Sequence, residues 1–190
     1  LPTALLAIIP ASELAVLVVQ RLVAALVRPR RLPRLELNEG VPQTARTMVV
    51  VPTLLGSVGG VERLLEHVEV QALGNLDPNI HFAVLSDFRD APAACVAGDD
   101  EILAAAVAGV TALNERYAPE AKDRFFLFHR DRLWNAKEGV FMGWERKRGK
   151  LEQFNRLLRH PDDPAFRVQV GDVSILPSIR FVLTLDTDSR

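Results

Sequence analysis

Three short apolar runs, each followed by a segment of different periodicity, constrain this chain most. Thr47-Met48-Val49-Val50-Val51, His81-Phe82-Ala83-Val84-Leu85-Ser86 and Phe125-Phe126-Leu127-Phe128 are rich in β-branched and aromatic residues and read as strands. Pro52 predicts the end of the first. Between the runs, apolar residues recur at helical spacing. Val58, Val61, Leu64, Leu65, Val68 and Leu73 share one helix face, stopped by Gly74. Ile102, Leu103, Ala106, Val107, Val110, Leu113 and Tyr117 share another. Strands that are apolar on both faces, alternating with helices, predict a parallel sheet with helices on both faces, an α/β domain of Rossmann-like type.

Such sheets bind ligands outside the carboxyl ends of their strands. Thr53, Asp87 and Asp90 fall at or after such ends. A further apolar strand, Arg180-Phe181-Val182-Leu183-Thr184-Leu185, delivers Asp186-Thr187-Asp188. Two carboxylates two residues apart can offer hard oxygen ligands to Mg²⁺ or Mn²⁺ while leaving room for substrate phosphates. The pattern is common by chance and, taken alone, reads first as a polar turn after a strand. Residues 129–150 look like an insertion ending in Trp144-Glu145-Arg146-Lys147-Arg148-Gly149-Lys150. A short helix follows, with Leu151, Phe154, Leu157 and Leu158 on one face. This puts Lys150 at or near a helix N-terminus, where backbone N–H groups and an ammonium together suit a diphosphate. The same run also reads as a solvated basic stretch. Phe166 to Val170 reads as a short strand or hairpin arm.

Composition removes several classes. The formal net charge is −1, so no overall basic field recruits nucleic acid. The single cysteine, Cys95, excludes a disulfide scaffold and a cysteine-based structural zinc site. His67, His81, His129 and His160 lack ligand spacing and read as surface or strand-edge residues.

The N-terminal 27 residues are the most apolar part of the chain. Pro10 predicts a break, with Ser12 capping a new amphipathic helix. Glu13, Gln20 and Arg21 argue against a complete span, so residues 1–27 read as the tail of a spanning helix followed by an interfacial one. The arginines at 28, 30, 31 and 34 give a positive-inside signal in a Pro-rich linker, 28–45, before a domain at 46–190.

These segments in order resemble bacterial cyclic β-1,2-glucan synthases. The resemblance is carried by Val49-Val50-Val51-Pro52-Thr53-Leu54-Leu55 and by His81 through Pro92. It continues through Phe125-Phe126-Leu127-Phe128-His129-Arg130, Trp134-Asn135, Gly143 through Glu152, and Leu183 through Asp188. It implies the nucleotide-sugar-binding half of a GT-A-like glycosyltransferase domain, behind a membrane-proximal segment, at the cytoplasmic side of the bacterial inner membrane. The implied donor is UDP-glucose with Mg²⁺ or Mn²⁺, and the implied product is an inverted β-1,2-glucan; membrane lipid and the growing glucan chain are the other implied partners. By resemblance Asp186 and Asp188 hold the metal. Asp87, or Asp90 on the same loop, contacts the nucleoside; Thr53 lies beside the uridine; Lys150 reaches the uracil or diphosphate. Arg146 and Arg148 give electrostatic support. The resemblance puts the general base and an acceptor-binding segment beyond Arg190. The expectation is therefore a piece truncated after the Asp-x-Asp strand, poorly soluble alone and unable to transfer glucose alone. The alternative is a non-catalytic nucleotide-sugar or metal-binding module.

Overall fold

A computed structural model describes residues 2–27, 37, 39–118 and 123–186. The chain divides into two compact units, Leu1–Asn38 and Glu39–Arg190. The first contains one α-helix, α1 (Pro2–Leu26), which continues through Pro10. This corrects the expected break. Ser12 is not a cap either: its Oγ donates to the Ile9 carbonyl at 2.7 Å, as hydroxyls do inside helices. The 25 residues of α1 come to about 37 Å at the usual rise. The hydrocarbon core of a bilayer is about 30 Å. Ile8–Leu26 has a mean hydropathy of 1.7 and is not buried within the chain, so by length and composition it is able to cross a membrane. Glu13 and Arg21 do not prevent this, contrary to the sequence expectation. The linker arginines lie outside the described residues.

The second unit carries the sheet. Its elements are β1 (Thr47–Leu55), α2 (Val58–Leu73), β2 (Ile80–Phe88), α3 (Asp99–Tyr117) and β3 (Phe125–Arg130). A hairpin of β4 (Leu133–Asn135) and β5 (Val140–Met142) follows, then α4 (Arg146–Arg159), β6 (Val168–Val170), a short 3₁₀ turn and β7 (Phe181–Thr184). The main sheet has the order β6-β3-β2-β1-β7. Strands β7, β1, β2 and β3 are parallel, and β6 runs antiparallel along β3. The sheet is therefore mixed, not purely parallel. A short edge strand entered from the carboxyl side of its neighbour has to run the other way, as the pairing of His129 with Val168 and Leu127 with Val170 records.

Strand alternation sends successive side chains to opposite faces. Val49, Val51, Val84 and Leu127 pack under α2 and α3, against Val61, Val68, Leu103 and Val110. Val50, Leu85, Phe126 and Phe128 face the other way and meet Phe154 and Leu157 of α4. Helices thus cover both faces, as the apolar runs predict.

Pro52 lies inside β1 rather than at its end. Val50 accepts a hydrogen bond from Leu185 N at 2.9 Å, so its polar backbone groups face β7. Pro52, two residues on, faces the same side, where the paired register stops at Val50. Its missing N–H therefore costs the β1–β2 ladder nothing. Strand β7, expected to be buried, pairs on one side only among the described residues, and Phe181 and Leu183 are exposed.

Candidate functional site

From β1 the chain steps outward to β2 and β3, then returns to the far side of β1 as β7. Strand order reverses between β1 and β7, and the crevice at their carboxyl ends is where an open α/β sheet takes its ligand. Thr53 lies near the end of β1, and Asp186 follows β7.

Helix α4 brings most of the remaining side chains. It starts from an unusual turn: Glu145 and Arg146 have φ of 50° and 45°, left-handed values that non-glycine residues seldom adopt. Arg130, at the end of β3, holds this turn. It donates to the carbonyls of Trp144 at 3.1 Å and Arg146 at 3.2 Å, and to the side chain of Gln153. Its other edge grips Asp87 at the end of β2: Nε meets Oδ1 at 2.7 Å and Nη2 meets Oδ2 at 2.8 Å. Lys150 completes the cluster. Its Nζ lies 3.1 Å from Asp87 Oδ2 and donates to the Thr53 carbonyl at 2.5 Å. Burial pushes the Lys150 ammonium below its ordinary pKa, and Asp87 acts in the opposite sense. Two glycines allow this packing. A Cβ on Gly143 would stand 2.4 Å from Asp87 Oδ2, and one on Gly149 would stand 2.1 Å from the Trp144 carbonyl.

Thr53, Asp87 and Lys150 are thus brought together, as a buried knot behind the crevice. Asp87 is 1% exposed and both its oxygens are engaged. Lys150 is near the start of α4, as the sequence suggested, rather than at its first residue. It lies in the second turn of α4, buried, with Asp87 as its counter-ion.

The outer rim carries the other candidates. Asp186 is half-exposed, and its carboxylate is held by Lys147 in the first turn of α4. Asp90 accepts from Arg146 at 2.8 Å, and Arg146 also grips Glu138 of the β4–β5 hairpin at 2.5 Å. These two carboxylates raise the Arg146 pKa above its ordinary value. Arg148 pairs with Glu145 and Glu152 and lies over the Trp144 ring at 6.0 Å. Asp188 lies outside the described residues. Among the described residues no group of three or more His, Cys, Asp or Glu gathers to hold a metal.

Two residues escaped the sequence reading. Arg130 follows a run of aromatics and looks like an exit from the strand; its partner is 43 positions away. Lys147 was one of several cations in a basic run. The histidines also need correction. His81 and His129 are buried. His129 Nδ1 pairs with Ser86 Oγ at 2.9 Å, and burial lowers its pKa to about 4.

No family model matches the chain. Over 187 residues it is 41% identical to the cyclic beta-(1,2)-glucan synthase NdvB of Rhizobium meliloti (strain 1021), a match covering 98% of this chain. This chain is homologous to a segment of a cyclic β-(1,2)-glucan synthase. The segment is short, spanning 6% of the length of that glucan synthase. The match therefore extends over both units, α1 included.

Proposed function

We propose that the 39–190 unit is the donor-binding half of a membrane glucosyltransferase that takes UDP-glucose and builds β-1,2-linked glucan with inversion. The observation that carries this reading is the meeting of Asp186 and Lys147 at the crevice where strand order reverses, with Lys150 joined to Thr53 behind it. The homology to a glucan synthase supports the choice of a sugar nucleotide over other phosphate-bearing ligands.

A divalent ion fits the donor set. Mg²⁺ and Mn²⁺ use one or two carboxylates together with water and substrate phosphates, and need no all-protein cage. Asp186 is exposed at a strand end and suits this, with Asp188 as the second ligand expected from sequence. When bound, the ion neutralises charge on the departing diphosphate. Lys147 is the ammonium nearest Asp186, placed to pair with a phosphate oxygen at the start of α4. Asp90, whose carboxylate reaches solvent, and Thr53 flank the nucleoside. Asp87 acts from behind by fixing Arg130 and Lys150. Helix α1 anchors the chain in the bacterial inner membrane, with the catalytic unit on the cytoplasmic side. The base that takes the acceptor proton is assigned to the rest of the parent protein.

The test is calorimetric titration of UDP-glucose into the detergent-solubilised chain, with and without Mn²⁺, beside Asp186→Asn. Binding that needs Mn²⁺ and disappears in the variant is the expected result. Binding that survives Asp186→Asn, or that ignores Mn²⁺, overturns the assignment. Circular dichroism of each sample separates lost binding from lost folding.

A further inference from the structure

The β4–β5 hairpin is unused by the donor reading, yet it builds a second concavity at the same end of the sheet. A cleft of about 530 Å³ is lined by Trp134, Asn135 and Lys137 of the hairpin and by Trp144, Glu145 and Arg146 at the start of α4. That volume is within the range of ordinary ligand sites. The chain has two tryptophans, and both line this cleft.

Neither indole is in the core. Trp134 is 54% exposed and Trp144 is 38% exposed. Each is nevertheless held in place. Trp134 leans on Phe141 across the hairpin, ring centroids 5.1 Å apart, and Trp144 is covered on one side by the Arg148 guanidinium. Phe141 in turn is tied by paired backbone hydrogen bonds to Ala91, each 2.9 Å, so the hairpin is fixed to the loop after β2. A large exposed aromatic that packing already orients presents a face without losing much rotamer freedom on binding.

The polar groups around these rings decide what would bind. Glu138, Glu145, Lys137 and Arg146 surround the indoles with carboxylates and cations. Such a set, two aromatic faces with hydrogen-bond donors and acceptors at the edges, matches a sugar ring. The C–H faces of a glucosyl unit are apolar and its equatorial hydroxyls project sideways. A purely apolar partner would take these charged groups out of water and offer them no hydrogen bonds in return, at a cost.

The location adds a second argument. Arg146 lines this cleft and also binds Asp90 at the donor rim. One side chain therefore forms the border between the two sites. We infer that the Trp134–Trp144 cleft is a glucan subsite, holding glucosyl units of the polymer beside the donor crevice. This rests on the donor reading for its meaning in synthesis, but its binding is separately measurable.

The test uses tryptophan fluorescence of the detergent-solubilised chain, which reports this cleft alone because both tryptophans line it. The probe is a linear β-1,2-linked gluco-oligosaccharide. Saturable change in emission is expected. Trp134→Ala should weaken binding about tenfold, measured by calorimetry, and Trp134→Phe should recover part of it. UDP-glucose with Mn²⁺ should bind Trp134→Ala as it binds the parent chain. Oligosaccharide affinity unchanged in Trp134→Ala, or no saturable change in the parent chain, overturns the subsite. A parent chain that binds oligosaccharide but not UDP-glucose supports the subsite and removes the donor reading.

Discussion

Arg130 holds both oxygens of Asp87, at 2.7 and 2.8 Å, across the carboxyl ends of two neighbouring strands. The pair does more than join β2 to β3. The same guanidinium fixes the left-handed turn that launches α4, so one buried carboxylate sets where the helix and its lysines lie.

Removing Asp87 therefore has a large cost. Arg130 and Lys150 are both buried, and without the carboxylate two positive charges remain without their counter-ion. Breaking one partner of a buried pair costs about 3–5 kcal/mol. Asp87→Ala should lose stability on this scale, read from urea unfolding of the chain in detergent. An unfolding midpoint close to that of the parent chain would show that the knot is not structural.

The glycines allow a test in which the sign changes. A Cβ on Gly143 meets the Asp87 carboxylate at 2.4 Å, and neither Asp87 nor Arg130 has room to retreat. Gly143→Ala should destabilise by about 1–3 kcal/mol. Gly59, in the first turn of α2, has only an Arg63 nitrogen at 3.7 Å and an ordinary φ. Gly59→Ala should stabilise by about 0.4–1 kcal/mol, because it removes unfolded-state freedom. Thermal unfolding of the two variants should move in opposite directions.

The fold was legible where side-chain periodicity is local. The runs at β1, β2 and β3 and the faces of α2 and α3 came from spacing alone. The hairpin did not, because its strands are three residues each and carry no period. Pro52 misled because the reading could not know that β7 stops at Val50. At the candidate site, the rule that ligands sit at carboxyl strand ends singled out Thr53, Asp87, Asp90 and Asp186 as candidates. It could not tell that Asp87 turns inward and Asp90 outward. That distinction depends on Arg130, which approaches from a different strand. The two buried histidines were misread for a similar reason: their burial comes from neighbouring strands, with Phe126 beside His81 and with Ser86 and Phe88 against His129, not from their own sequence context.

His129 gives the chain a pH dependence. Its folded pKa is lowered to about 4 by burial, against an ordinary 6.5. The stability it contributes is full above pH 6.5 and is lost as pH falls toward 4, because the unfolded chain takes the proton first. From pH 7 to 5 this is about 2 kcal/mol. His81 is shifted in the same direction, also by burial, and adds to it. Urea midpoints should fall across this window, and His129→Asn, which can keep the partner of Ser86, should flatten the slope. An equal slope in the variant would assign the effect to other groups.

Lys147 separates stability from binding. Its contact with Asp186 is half-exposed on both sides, so the pair contributes less than about 1 kcal/mol to folding. Lys147→Ala should therefore unfold almost as the parent chain does. Donor binding should respond differently. An ammonium beside a diphosphate makes a charge-assisted hydrogen bond, worth about 1.5–3 kcal/mol, which corresponds to a tenfold or greater loss in affinity for UDP-glucose with Mn²⁺. Arg148→Ala is the matched control, because Arg148 pairs with Glu145 and Glu152 on its own helix and has no contact with Asp186. If the two variants lose affinity equally, the effect is the general field of the basic run, as the solvated reading of the sequence had it. If only Lys147→Ala loses affinity, the first turn of α4 is the place where the diphosphate is held.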